Sequence, residues 1–141
     1  MISKWDFKRF IEAQEKAYDI ALSEIREGKK KGHWMWFIFP QIMGLGFSTT
    51  SNFYAIKNIN EATAYLQHPV LGPRLTGISK ELLQLEPADA GAIFGRPDDL
   101  KLRSSMTLFS EVPGADPIFN EVLDEFFQGK KDEITLKLLN A

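Results

Sequence analysis

The chain has 141 residues, of which 44% are hydrophobic and 26% charged, a composition typical of one folded globular domain and not of a disordered or fibrous chain. Seventeen lysines and arginines against nineteen acidic residues give a formal net charge of −2, which excludes bulk nucleic-acid binding through a general positive field. Cysteine is absent, which excludes disulfides, thiolate nucleophiles and cysteine-bound metals.

Two features that the sequence lacks predict the cellular location of the protein. The N-terminal residues contain no apolar run of the signal-peptide type, and the longest apolar run in the chain is too short to span a bilayer. Together with the lack of cysteine, this indicates a cytoplasmic protein without a membrane partner.

The first predicted element is a long amphipathic helix that begins near Phe7 and ends before Gly28, because apolar residues recur there every three or four positions. Lysines 29–31 follow, and we interpret them as solvated cations at a helix C-terminus rather than as a nucleic-acid patch. The apolar run from His33 to Pro40 has no periodicity. We predict a short helix there, since no segment looks like a partner strand.

Further helices are predicted from capping residues and apolar stripes. They begin, in chain order, near Ser48, Asn60, Leu71, Asp89, Asp98, Asp116 and Asp132. The last of them is predicted to turn Ile134 and Leu138 inward. No alternating strand, internal repeat or linker is found. The sequence therefore predicts an all-α fold, a single compact domain of about seven to nine short helices over residues 1–141.

Several sequence blocks resemble a known family. They are Phe10-Ile11-Glu12-Ala13-Gln14, His33-Trp34-Met35-Trp36 through Phe39-Pro40-Gln41, Gly44-Leu45-Gly46-Phe47-Ser48, Tyr54-Ala55-Ile56, His68-Pro69-Val70-Leu71-Gly72 and Lys101-Leu102 with Ser104-Ser105-Met106-Thr107-Leu108-Phe109. Together they resemble the DUF1810 family of small bacterial and fungal proteins, over residues 5–139. This resemblance implies the Rv1873-like all-helical fold and leaves the function open, since the family name records an unassigned domain.

A second resemblance rests on the FSxxSNFY pattern from Phe47 to Tyr54 and on the mostly helical character predicted for the chain. It is similar to the NADAR/YbiA group of ADP-ribose-linked N-glycosidases. This resemblance implies a hydrolase activity of the N-glycosidase type on an ADP-ribose-type ligand.

The loop that contains Gly44, Gly46 and Ser48 is the first candidate for a ligand site. Glycines allow close approach of the backbone to a ligand, and the N-terminus of the helix that follows can bind a phosphate. The loop lacks the lysine of a P-loop and the preceding strand of a Rossmann turn. A plain connecting turn remains the alternative.

Aromatic and amide side chains precede this loop. Trp34 and Trp36 point in different directions, so that one of them can face a cleft and stack on a ring, while the alternative for both is the core. Gln41 is predicted either to hydrogen-bond the loop backbone or to contact an amide of the ligand.

Acid–base groups are few. His33 is predicted as a partly exposed acid, base or anion donor, and Asp98 as a carboxylate that handles protons, although a lone histidine is commonly structural. The two histidines are far apart and no metal-binding spacing is present, so we expect neither a metal nor a cofactor. Arg74, Lys101 and Arg103 are candidates for phosphate contacts, with surface ion pairing as the alternative.

The sequence thus favours a protein that binds, and in an enzyme version hydrolyses, a phosphate-bearing small metabolite such as a nucleotide or ADP-ribose derivative. The alternative is a non-catalytic protein-interaction module, either a monomer or a homodimer, that uses exposed aromatic side chains. A deep cleft with converging polar groups favours the first hypothesis, and a flat apolar patch favours the second.

Overall fold

The computed structural model describes residues 5–141, and its helices follow the apolar periodicity of the sequence. Nine α-helices are present over that range, and extended pairing is limited there to one isolated parallel bridge between Ile42 and Ile56. The helices are α1 (Lys8–Arg26), α2 (Met35–Ile38), α3 (Thr49–Tyr54), α4 (Ile59–Gln67), α5 (Leu71–Leu82), α6 (Ala90–Phe94), α7 (Asp98–Ser110), α8 (Ile118–Phe127) and α9 (Glu133–Leu139).

Two helices organise the packing. Helix α5 contacts α1, α4 and α8, while α7 contacts α4, α6, α8 and α9. The short helix α2 lies against α1, and α3 lies against α2. The result is one compact all-helical domain, as the sequence predicts. None of the helices in residues 5–141 combines the length and the apolar character that crossing a bilayer requires.

Aromatic rings from four helices form the centre of the core. The Tyr65 ring meets the Phe10 ring edge to face, with centroids 5.2 Å apart, and lies 5.3 Å from the Phe109 ring. Phe109 in turn lies 5.9 Å from Phe119. Such contacts add specific geometry to the burial of large apolar surfaces, so they join α1, α4, α7 and α8 into one unit.

The apolar run before Pro40 does form a short helix, α2, as predicted. Ser48 is the N-cap of α3, and its Oγ accepts a hydrogen bond from the Ser51 N–H at 3.1 Å. The predicted cap of α4 is wrong: Asn58, not Asn60, accepts from the Glu61 N–H. An N-cap side chain reaches the amide three residues ahead, and Asn58 stands at that spacing.

Two predictions about Asp98 and Ile134 are also wrong. Pro97 occupies the N-cap position of α7, and Asp98 begins the helix without capping it, because its carboxylate is bound by lysine side chains instead. Ile134 does not turn inward, since the side chain is 58% exposed. Thr135 takes the buried position of α9, and Ile134 therefore faces outward beside the candidate site.

Candidate functional site

The segment that leads into the glycine loop is held by backbone pairing. The Met43 N–H donates to the Ile56 carbonyl at 2.8 Å, and the Ile56 N–H donates to the Gln41 carbonyl at 2.9 Å. These two bonds anchor the chain on both sides of the loop and α3. They give an irregular segment a defined position next to α2.

A cavity of about 270 Å³ lies beside this segment. Its walls come from α2, the loop and α3 on one side and from α7 and α9 on the other. Five residues that the sequence selected line it: Trp36, Gln41, Gly44, Gly46 and Lys101. Sequence reasoning missed other residues of the lining, among them Ser51, Tyr54, Leu100, Ser104, Asp132 and Ile134. They come from α3, α7 and the start of α9. Although Ser51, Tyr54 and Ser104 lie in sequence blocks that resemble known families, nothing in those blocks singles them out as ligand-binding residues.

The two loop glycines have steric reasons to be glycine. Gly44 has φ +107°, and a Cβ there would lie 3.1 Å from Cδ2 of Leu138. A Cβ on Gly46 would lie only 2.6 Å from Oγ of Ser51. The glycines therefore let the loop pass close to α9 and α3, which forms the cavity wall.

Lys101 provides the positive charge at the cavity. Its Nζ lies 4.6 Å from the centre of the Trp36 ring, within the range of a cation–π interaction, and 3.1 Å from Oδ1 of Asp98. The other oxygen of Asp98 lies 2.9 Å from Nζ of Lys30. One carboxylate thus connects two ammonium groups, of which only that of Lys101 reaches the cavity.

These contacts determine the charge state of Asp98. Partial burial raises its pKa, but the hydrogen bonds and charges of Lys30 and Lys101 outweigh burial and hold the pKa below its usual range. Asp98 is therefore ionised and a weak proton acceptor at neutral pH. It does not line the cavity and reaches the site through Lys101.

Polar groups of the cavity wall that have no hydrogen-bond partner within residues 5–141 include the amide of Gln41 and the hydroxyl of Tyr54. Both side chains are partly exposed. The Tyr54 ring itself is held by contacts with Phe37 and Phe53, at centroid distances of 5.3 and 4.8 Å. The cavity therefore presents, on a firmly packed wall, hydrogen-bonding groups that no other described residue occupies.

Asp132 is the carboxylate that lines the cavity, and it has a structural task. Its Oδ2 accepts hydrogen bonds from the Thr135 N–H at 3.0 Å, the Thr135 hydroxyl and the Ser104 hydroxyl, which makes it the N-cap of α9. Its Oδ1 lies 3.6 Å from Nη2 of Arg103. Arg103 is thus paired with Asp132 and is not among the residues that line the cavity.

Trp34 does not lie at the site. It is 2% exposed, its ring packs near Phe39 and Phe94, and its Nε1 donates to Oε1 of Glu24 at 2.9 Å. Trp34 is therefore a core residue, which was the alternative to a ligand contact. In helix α2, which follows it, Trp36 faces the cavity instead. His33 next to it is exposed and does not line the cavity.

Two further candidates lie outside the cavity lining. The Ser48 hydroxyl is engaged in the cap of α3, and Arg74 lies over the Tyr18 ring at 5.3 Å. The Tyr18 hydroxyl donates to the Arg74 carbonyl at 2.8 Å. Burial raises the pKa of Tyr18 more than the nearby positive charge of Arg74 lowers it.

Exposed apolar side chains stand close to the cavity. Leu100 and Ile134 belong to its lining and are exposed, and Phe47, next to Gly46, is 89% exposed. Large apolar side chains exposed together on one face are unusual for a surface without a binding role.

These features define an all-helical, single-domain protein with an aromatic and basic cavity between its glycine loop and α7. The family described as "Protein of unknown function (DUF1810)" matches residues 4–139, and the chain belongs to this family. It is similar to the conserved hypothetical protein Rv1873 from Mycobacterium tuberculosis, whose crystal structure matches with 45% sequence identity, 99% coverage of each chain and a TM-score of 0.95. A comparison with curated proteins gives no match.

Proposed function

We propose that the chain binds a phosphate-bearing small molecule with a planar ring, of the nucleotide or ADP-ribose type, in the cavity beside Gly46. The observation that carries this proposal is the Lys101 ammonium, which lies 4.6 Å over the Trp36 ring in the cavity wall. A cation and an aromatic surface side by side suit a ligand that joins an anion to a flat ring.

The charges around Lys101 support an anionic ligand. Lys30 and Lys101 share the single carboxylate of Asp98, so these three side chains together carry one positive charge in excess. Asp132, which also lines the cavity, is matched by Arg103 and adds no net charge. A partly enclosed site strengthens the attraction between the excess charge and a phosphate relative to bulk water.

The size of the cavity limits how much of a ligand it encloses. At about 270 Å³ it lies just below the range of roughly 300–1,000 Å³ that is common for drug-sized ligands. We therefore expect it to enclose one ring and its nearest phosphate. The remainder of an ADP-ribose-type ligand would lie outside, along the mouth beside Phe47.

The free groups of Gln41 and Tyr54 suit recognition of the ring. An amide offers both a donor and an acceptor, which matches the edge of a nucleobase or a carboxamide, and a phenol adds a second donor. Neither group gives up a hydrogen bond to another residue in the described part of the chain, residues 5–141, to make these contacts. Asp132, by contrast, is engaged in the cap of α9, and for this reason we propose binding rather than hydrolysis.

The proposal is tested by thermal shift and calorimetry with AMP, ADP-ribose, NAD and sugar phosphates. A ligand at a hundredfold its Kd stabilises the folded state by about 2.7 kcal/mol, or roughly 5–10 °C for a chain of this length. Lys101→Met should weaken binding about tenfold or more, since a hydrogen bond to a charged group is lost. Lys80→Met, at an exposed position of α5, is the matched control.

Either of two results would overturn the proposal: no compound shifts the melting temperature, or Lys101→Met binds as tightly as Lys80→Met. The second candidate function is a protein-interaction surface, and the exposure of Phe47, Leu100 and Ile134 favours it. A ligand response that depends on Lys101 favours the first function. A chain that ignores every compound but self-associates favours the second.

A further inference from the structure

Lys30 belongs to the cluster around Asp98 but does not line the cavity. Its side chain is only 8% exposed, although it comes from a run of three lysines. Its Nζ lies 2.9 Å from Oδ2 of Asp98, donates to the Gly32 carbonyl at 2.5 Å and lies 5.2 Å from the Trp34 ring. A lysine buried among three such contacts is not a solvated helix-end cation.

The loop around Lys30 is built to hold it there. Its own N–H donates to the Ile93 carbonyl at 2.7 Å. Glu24 holds the neighbouring residues, because its Oε1 accepts from the Gly32 N–H at 2.9 Å and from Nε1 of Trp34 at 2.9 Å. Burial raises the pKa of Glu24, but these hydrogen bonds, a further one from the Lys31 N–H and the charge of Lys30 outweigh burial and lower the pKa overall, so Glu24 is an ionised carboxylate.

The position of Lys30 changes what Lys101 can do. Without Lys30, Asp98 and Lys101 would form a closed pair with no net charge. With Lys30 on the second oxygen, the carboxylate is shared at 2.9 and 3.1 Å, and the charge of Lys101 is only partly compensated. The ammonium of Lys101 over Trp36 then retains attraction for an anion in the cavity.

We infer that Lys30 is a positioning residue of the ligand site: it takes up the second oxygen of Asp98, so that the charge of Lys101 is only partly compensated and can attract the phosphate of a nucleotide-type ligand. This inference rests on the proposed function. It assigns a role in specificity, the preference for a phosphorylated over an unphosphorylated ligand, to a residue that does not touch the ligand.

The test compares the Kd of AMP with that of adenosine by titration calorimetry. Lys30→Met should weaken AMP roughly five- to tenfold and leave adenosine unchanged, since one charge near the phosphate is lost. Asp98→Asn should tighten AMP. The double variant Lys30→Met/Asp98→Asn restores one excess positive charge and should bind AMP nearly as the unmodified chain does. Lys29→Met, at the exposed neighbouring lysine, is the control.

Recovery of AMP affinity in the double variant distinguishes an electrostatic role of Lys30 from a structural one. If Lys30 acted only through its packing, the second change at Asp98 would not restore AMP binding. If the unmodified chain binds AMP and Lys101→Met weakens it, but Lys30→Met behaves like Lys29→Met, the inference alone is wrong. If the unmodified chain binds neither probe nor any compound of the wider panel, the proposed function fails with it. Should Lys30→Met not fold, unchanged AMP affinity in Asp98→Asn would overturn the inference.

Discussion

Replacing Gln14 with leucine tests how α2, which carries Trp36, is held in place. Gln14 lies in α1 and is 2% exposed. Its Nε2 donates to the Phe37 carbonyl at 2.8 Å and to the Tyr65 hydroxyl at 3.0 Å. One amide thus connects α1 to α2 and α4 through two otherwise buried acceptors. Burial raises the pKa of the Tyr65 hydroxyl far more than the Gln14 bond lowers it, so the hydroxyl stays neutral at any working pH.

The cost of Gln14→Leu follows from these two bonds. A buried group left without its partner costs about 1–3 kcal/mol, which gives about 2–6 kcal/mol for the carbonyl and the hydroxyl together. The added apolar surface of leucine returns about 1 kcal/mol. We expect a net loss of about 1–5 kcal/mol, which lowers the melting temperature by roughly 3–15 °C in a chain of this size.

Urea unfolding and calorimetry measure this loss, with Gln84→Leu at an exposed position as the matched control. A double-mutant cycle with Tyr65→Phe isolates the shared bond. On the Gln14→Leu background, Tyr65→Phe should cost less than it does in the unmodified chain, because it removes the hydroxyl that was left unpaired. A Gln14→Leu variant within 0.5 kcal/mol of the control, or strict additivity of the two changes, would refute this reasoning.

Two other predictions concern close packing and pH. Gly72→Ala should destabilise the chain by about 1–3 kcal/mol in urea unfolding, because its Cβ would lie 2.1 Å from the Leu66 carbonyl oxygen, whereas Gly77→Ala in the same helix should stabilise it by about 0.5–1 kcal/mol. Equal effects would contradict this. The pKa of Asp98 is lower in the folded chain than in the unfolded chain, where it is about 3.9. Asp98 therefore stabilises the fold at pH values above the unfolded pKa, and this stabilisation is lost as the pH falls through the folded pKa. The stability difference from Asp98→Asn should therefore shrink below about pH 4 in acid unfolding series, and a constant difference would contradict it.

Much of the fold could be predicted from local patterns. The apolar repeat of α1 predicts its length to within two residues of the observed end at Arg26, and Asp89 correctly marks the start of α6. These features depend on residues within one helical turn of each other, so a short stretch of sequence is enough to predict them. The cap at Asn58 was missed because two asparagines stand two positions apart, and both satisfy the same local rule.

The candidate site could be predicted only in part. The loop glycines and Lys101 were selected from local cues, and they do line one cavity. Tyr54 and Asp132 are not selected, because Tyr54 lies at the far end of α3 and Asp132 comes to the loop only when α9 packs there. The sequence makes Trp34 and Trp36 equal candidates, but the indole of Trp34 donates a hydrogen bond to Glu24 and does not lie at the cavity.

The sequence by itself determined the helical class and most of the helix boundaries, because apolar periodicity and capping act over a few residues. It also determined that the chain carries a flexible glycine loop next to an aromatic run. Only the tertiary structure decided which indole faces the cavity and which lysine is buried. Lys30 lies in the loop after α1 and Lys101 lies in α7, and they meet at Asp98 because α7 packs where this loop passes. Charges that converge across such a distance in sequence leave no periodic signal, so their pairing appears only when the core has been assembled.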